Sequence, residues 1–108
     1  MAKDIYHDLV RTALEKDAWK ITDDPLTLRV GRRDLFIDLG AEKLLAAERE
    51  GKKIAVEIKS FVSKSPVKDL ENALGQYMLY LKILERLEPD RILYLAIHEE
   101  IYLSFFSE

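Results

Sequence analysis

No cysteine occurs in the 108 residues, which excludes disulfide staples and thiolate metal sites and makes the cytoplasm the expected compartment. No apolar run approaches the roughly 20 residues needed to cross a bilayer. The opening MAKDIYHDLV mixes charges where an export signal would carry an apolar centre, so the chain is expected to be neither exported nor membrane-embedded. Histidine is scarce: His7 and His98 stand far apart in sequence and give little basis for a histidine-held metal or nucleophile. There is no glycine-rich phosphate loop, Ser-His-Asp set, dinucleotide fingerprint or internal repeat. Positive charge is not in excess either. Lys and Arg number 17 against 20 Asp and Glu, a formal net charge of −3. Any contact with DNA must therefore come through a local basic surface or through metal ions.

What is present suits one compact core. With 48% hydrophobic and 34% charged residues, residues 1–108 have the size and balance of a single domain. From Lys3 to Ala18, Ile5, Leu9, Val10, Ala13 and Leu14 recur at helical spacing and predict a first helix. Trp19 to Thr22 reads as a short strand, Asp23-Asp24-Pro25 as a turn, and Leu26 to Val30 as an extended segment leading to Gly31. A turn around Glu50-Gly51-Lys52 lies between two runs of strand length and predicts a hairpin. Its first arm is ambiguous, since LLAAERE is also good helix sequence.

Ser65-Pro66 looks like an N-cap with proline at the first helical position. Val67, Leu70, Leu74, Tyr77, Leu81 and Leu84 follow as one seam, and Pro89 stops the helix. RILYLAI, residues 91–97, is a continuous apolar run expected for a strand covered on both faces, with His98 at its end. The final IYLSFFSE is apolar and needs a surface to lie on.

Within IAVEIKSF, residues 54–61, Ile54, Val56 and Ile58 share one face of a strand while Ala55, Glu57 and Lys59 share the other. A carboxylate and an ammonium on one strand face match what metal-dependent phosphodiester cleavage requires. Hard oxygen ligands hold Mg²⁺ or Mn²⁺, and a cation offsets the charge developing on phosphate. The same spacing is also an ordinary solvated strand pattern. An upstream acid would complete the ligand set. Asp38, nineteen residues before Glu57 and at the edge of Leu35-Phe36-Ile37, is the first candidate, with Asp34 and Glu42 as competitors. A turn centred on Gly51 would set Glu57 opposite residue 44 or 45, nearer Glu42 than Asp38, unless a bulge intervenes.

On the second helix Gln76 and Tyr80 lie four residues apart beside the apolar seam, on a strip that includes Asp69 and Ala73. An amide and a phenol there could contact phosphate or a water. A boundary strip between core and solvent would look the same.

Asp38 in FID, Glu57 to Lys59 in EIK and Gln76 to Tyr80 in QYMLY, in the order helix, strands, helix, strand, resemble the PD-(D/E)XK nuclease superfamily. The Q-x-x-x-Y element is similar to its RecB-like branch. More narrowly, AKDIYHDLVRTALEKDAWKITDDPL, DLGAEKLLAAERE, KIAVEIKSF, ALGQYMLYL and PDRILYLA together resemble the XisH family of cyanobacteria, the fdxN element excision controlling factors, over essentially the whole chain. The resemblance implies an α/β restriction-endonuclease-like domain, a mixed central sheet with a β-hairpin flanked by helices. It also implies Asp38 and Glu57 as metal ligands, with Glu42 in reserve, Lys59 as the charged catalytic group, and Gln76 and Tyr80 as support. Mg²⁺ or Mn²⁺ is the implied cofactor. The implied partners are DNA, an XisI-like companion and a site-specific recombinase acting in developmentally regulated excision in heterocyst-forming cells; a homo-oligomer is also compatible.

Two departures accompany the resemblance. Members of that family run on beyond the position of Glu108, which implies a missing last strand and helix, or a shortened version, and an IYLSFF segment that has lost its cover. The superfamily often carries an acid on its first helix facing the site, for which Asp8 is the choice over Asp4 and Glu15. Arg32, Arg33, Lys52, Lys53, Lys64 and Lys68 are candidates for a phosphate-facing patch, and Trp19 for packing rather than base stacking. The leading expectation is a Mg²⁺-dependent DNA endonuclease. The rival is a catalytically idle nuclease-fold module that docks XisI or the recombinase to DNA.

Overall fold

The computed structural model describes residues 5–44, 51–60 and 64–97. Among them the chain forms α1 (His7–Lys16), β1 (Lys20–Asp23), β2 (Leu26–Val30), β3 (Arg33–Ile37), β4 (Leu39–Lys43), β5 (Lys52–Lys59), α2 (Pro66–Leu87) and β6 (Arg91–Ile97). Four strands make a mixed sheet in the order β1-β4-β5-β6, while β2 and β3 pair only with each other. The β1–β4 and β4–β5 pairs are antiparallel, and β5–β6 is parallel across the α2 connection. The fold is thus mixed α/β, with one helix against each face of the sheet. No helix among the described residues is long and apolar enough to cross a membrane.

Alternation along β5 divides the core. Ile54, Val56 and Ile58 join Leu39 and Ala41 on one face, where Tyr6, Val10, Leu14 and Trp19 pack against them. Ala55 points the other way into a cluster with Leu26, Leu28, Ile37, Leu84 and Leu93, packed by Tyr77, Tyr80, Leu81 and Ile83 of α2. Burying a side chain such as Ile37 or Leu84 contributes roughly 1.5–3 kcal/mol.

Helix α1 is shorter than the expected Lys3–Ala18. It ends where Trp19 N–H donates to the Leu14 carbonyl at 2.9 Å and Ala18 N–H to Glu15 at 3.1 Å, with Ala18 at φ +67. This is the Schellman arrangement, in which the residue after the cap takes the left-handed conformation. The start of α1 is fastened by His7. It is buried, and its Nε2 lies 2.7 Å from Asp24 Oδ1, while the other Asp24 oxygen accepts from Arg11. Helix α2 begins as its sequence requires: Ser65 caps it, accepting from Lys68 N–H at 3.3 Å, and Pro66 occupies the first turn.

Four expectations are corrected. First, Leu26–Val30 is not a lone extended segment; it pairs with Arg33–Ile37 through a two-residue connection, Gly31-Arg32. Gly31 has φ +62, which a tight hairpin turn needs and glycine adopts without steric cost. Second, Gly51 ends the β4–β5 connection rather than centring it. A Cβ there would run into the Lys43 carbonyl oxygen. The LLAAERE stretch falls largely in 45–50, outside the described residues.

Third, the buried face of α2 is rotated. Ala73 and Leu84 are its buried residues, whereas Val67 and Leu74 are exposed. A strict three-four seam follows a 3.5-residue repeat and drifts from the 3.6-residue helix, and the sheet below decides which face is covered. Fourth, β6, the last strand of the sheet among the described residues, is not covered along both faces. Leu93 is buried, but Ile92 and Tyr94 are each 52% exposed, because no described element covers that part of the other face. His98, IYLSFFSE and Asp4 lie outside the described residues.

Candidate functional site

The β4–β5 register runs Leu39↔Val56 through Lys43↔Lys52. One step beyond Leu39, Asp38 arrives beside Glu57 with no bulge. Asp38 N–H donates to Glu57 Oε1 at 3.4 Å, and Asp38 Oδ2 accepts from Ile58 N–H at 2.7 Å. The two acids thus hold each other's strands. Lys59 Nζ stands 3.9 Å from Glu57 Oε2, as two residues on one strand face allow.

Glu57 is almost wholly buried, at 5% exposure. Burial pushes its carboxyl up, to about 8, and Asp38 adds to the rise through a side-chain hydrogen bond and its negative charge, against the opposing pull of Lys59. Two acids this close cannot readily both ionise without a counter-charge. Tyr80 reaches the same locality from α2: its phenol is raised first by burial and then by the charges of Glu57 and Asp38.

The other expected residues are dispersed. Glu42 pairs with Lys53 and with Lys20, four residues along β4 from Asp38, or roughly 13 Å at strand rise. Its expected proximity to Glu57 is therefore wrong, because the connection is longer than a turn centred on Gly51. Asp34 faces solvent in β3 and pairs with Arg29. Gln76 lies one turn before Tyr80 but is exposed. Asp8 is exposed on α1, whose Val10 and Leu14 pack on the opposite sheet face from Glu57. Nor do the basic residues make one patch. Lys52 and Lys53 lie at the far end of β5 from Lys59, and Arg32 and Arg33 lie at the β2–β3 tip.

Sequence reasoning missed the Ile58 N–H, since a backbone donor leaves no side-chain signature. It also missed Arg91. This nearly buried guanidinium donates to the Ile54 carbonyl at 3.0 Å and to Glu88 at 3.1 Å, and lies 3.8 Å from Asp23. It joins the start of β6 to β5 and β1, a supporting role.

Among the described residues no group of three or more acids and histidines forms a metal cluster. Mg²⁺, however, is commonly held by one or two carboxylates with water and substrate phosphate in its other positions. A carboxyl held neutral by burial and by the acid beside it fits that need, because a cation would replace the proton. Asp38 and Glu57 are the residues that could hold it.

Fold and site together define a mixed α/β domain with a pair of acids, Glu57 buried and Asp38 half-buried, and a lysine at the end of an interior strand. The family model of the XisH protein matches residues 1–108, and the chain belongs to the XisH family. Among solved structures, an XisH family protein from Nostoc punctiforme PCC 73102 is 45% identical with a TM-score of 0.82, the match covering 97% of this chain and 77% of that one. A fdxN element excision controlling factor protein from Anabaena variabilis is 47% identical with a TM-score of 0.81, covering 96% of this chain and 76% of that one. No curated protein matches.

Proposed function

We propose that this chain is a metal-dependent DNA endonuclease domain of the PD-(D/E)XK, restriction-endonuclease-like type, serving programmed excision of a DNA element. The observation that carries this reading is the meeting of Asp38 and Glu57 from neighbouring strands with Lys59 beside them. The excision role is taken from kinship with the Anabaena variabilis protein. An XisI-like companion and a site-specific recombinase are the partners proposed with it.

In this reading a water attacks phosphorus, one P–O ester bond breaks, and the leaving sugar oxygen takes up a proton. Asp38 and Glu57 would hold Mg²⁺ or Mn²⁺, which when bound supplies Lewis-acid polarisation of the phosphate and lowers the pKa of water. The Ile58 N–H fixes the Asp38 carboxylate against rotation. Lys59 offsets the charge that builds on the phosphate oxygens and orients the attacking water. The half-buried Tyr80 phenol bounds the site on the α2 side and offers a donor. The test is nicking of supercoiled plasmid with Mg²⁺ or Mn²⁺. Metal-dependent nicking that is lost in Lys59→Ala supports the reading, and nicking that survives in that variant refutes it.

A second reading has its own observation. Ile92 and Tyr94 of β6 are half exposed, beside an apolar cleft of about 430 Å³ lined in part by Leu14, Trp19 and Leu95. A catalytically idle module docking XisI or the recombinase would use such a surface. Co-purification with XisI that fails in Tyr94→Glu, from a protein that nicks no DNA, would select it.

A further inference from the structure

Hairpin β2–β3 is paired to no strand of the main sheet and packs on the core through its first three residue pairs, Leu26↔Ile37 to Leu28↔Leu35. Leu26, Leu28, Leu35 and Ile37 turn into the core. Every residue from Arg29 to Asp34 is exposed, so the tip projects beyond the packed body. The charges there are unequal in what they do. Arg29 donates to the Gly31 carbonyl at 3.0 Å and to Asp34 at 3.1 Å, which neutralises it and stiffens the turn. Arg32 and Arg33 make no ion pair among the described residues. Two uncompensated guanidinium groups therefore crown a braced two-stranded ribbon on a chain whose net charge is −3.

The position of this tip relative to the acidic pair is fixed by the chain. Asp38 follows Ile37, the last residue of β3, and Arg33 is the first residue of β3. Five residues of strand separate Arg33 from Asp38, roughly 17 Å at strand rise. Duplex DNA carries a phosphate every 3.4 Å along each strand, so this reach corresponds to about five base pairs, or half a helical turn. A guanidinium is the side chain best matched to phosphate. Contacts of this kind set position and register along a duplex rather than read its sequence.

We propose that the β2–β3 hairpin is a DNA-gripping arm, with Arg32 and Arg33 binding duplex phosphates about half a turn from the bond addressed by the Asp38/Glu57 pair. The proposal rests on the reading of DNA as substrate, and it explains how an acidic protein acquires a local hold on a polyanion.

Binding of a fluorescein-labelled DNA duplex of about two helical turns to the full chain, followed by anisotropy in EDTA over a KCl series, tests the arm without requiring cleavage. Arg32→Ala/Arg33→Ala is expected to weaken binding roughly tenfold at low salt and to reduce the slope of log affinity against log salt by about 1.8, for two lost phosphate contacts. The charge-matched control is Lys82→Ala/Arg86→Ala on the exposed side of α2, and thermal unfolding checks that both variants keep the fold. Loss confined to the arm variant supports the proposal even if the protein nicks no plasmid, in which case the nuclease reading alone falls. Equal affinities and slopes for arm variant and control, or a wild type that binds no duplex, overturn it.

Discussion

Asp38 and Glu57 hold each other across the β4–β5 pair: the Asp38 N–H reaches Glu57 Oε1, and the Asp38 carboxylate receives the N–H of Ile58, the residue after Glu57. The pair is therefore part of the ladder that joins two strands, and its acids cannot splay apart without loosening that junction. Four predictions follow from this geometry and its surroundings, each with its own measurement.

Lys59→Ala should lower metal-dependent plasmid nicking by about 10²–10³-fold, the usual cost of removing a group that stabilises developing transition-state charge. Lys59 is 31% exposed and pairs with Glu57 only at 3.9 Å. Denaturant unfolding should accordingly shift by no more than about 0.5 kcal/mol. A large stability loss would mean the lysine is structural.

Stability of the metal-free protein should fall as pH rises. Glu57 keeps its proton in the folded state up to about 8, whereas its ordinary value is 4.5. Between those limits the folded state binds more protons than the unfolded state. The contribution is thus present in full at the acid end and is lost on the way to pH 8. Glu57→Gln should flatten this part of the profile and unfold later than wild type at pH 8, by more than about 1 kcal/mol. Mn²⁺ affinity, followed by calorimetric titration, should rise through the same window, since cation and proton compete for the pair.

Tyr80→Phe keeps the ring that α2 packs onto the core and removes only the hydroxyl. Nicking should fall about tenfold, equivalent to one hydrogen bond of about 1.4 kcal/mol. Gln76→Ala should do less, because Gln76 lies in solvent one turn away. Single-turnover kinetics of both variants against wild type give the ranking, and a larger effect at Gln76 would reverse the assignment of the supporting strip.

Ala18→Gly should stabilise the protein by about 0.5–1 kcal/mol. Ala18 sits at φ +67 in the cap that ends α1; a side chain there costs roughly 1–2 kcal/mol, partly offset by the greater freedom of glycine in the unfolded chain. Urea midpoints at constant m-value measure it.

The features readable from residues alone are those with a local period or a local chemical rule. The α1 stripe of Val10 and Leu14, the Ser65-Pro66 start of α2, and the common face of Glu57 and Lys59 all depend on neighbours within a few positions. Asp38 stands out as the upstream acid because it ends an apolar run, whereas a hairpin centred on Gly51 argues for Glu42. The β2–β3 hairpin is half legible: its first strand shows in Leu26 to Val30, but nothing local in Arg33–Ile37 states which segment it pairs with.

Local pattern thus specified both helices, β1, β2, β5, β6 and the face Glu57 and Lys59 share, because alternation and helical pitch are properties of a short stretch of backbone. Packing in three dimensions decided the rest. It set Asp38 rather than Glu42 beside Glu57, turned Tyr80 toward the acids, left Ile92 and Tyr94 half exposed and put two arginines at the end of a ribbon. Each of those depends on a pairing between segments distant in the chain, and a one-residue change of register would send every side chain of a strand to the other face.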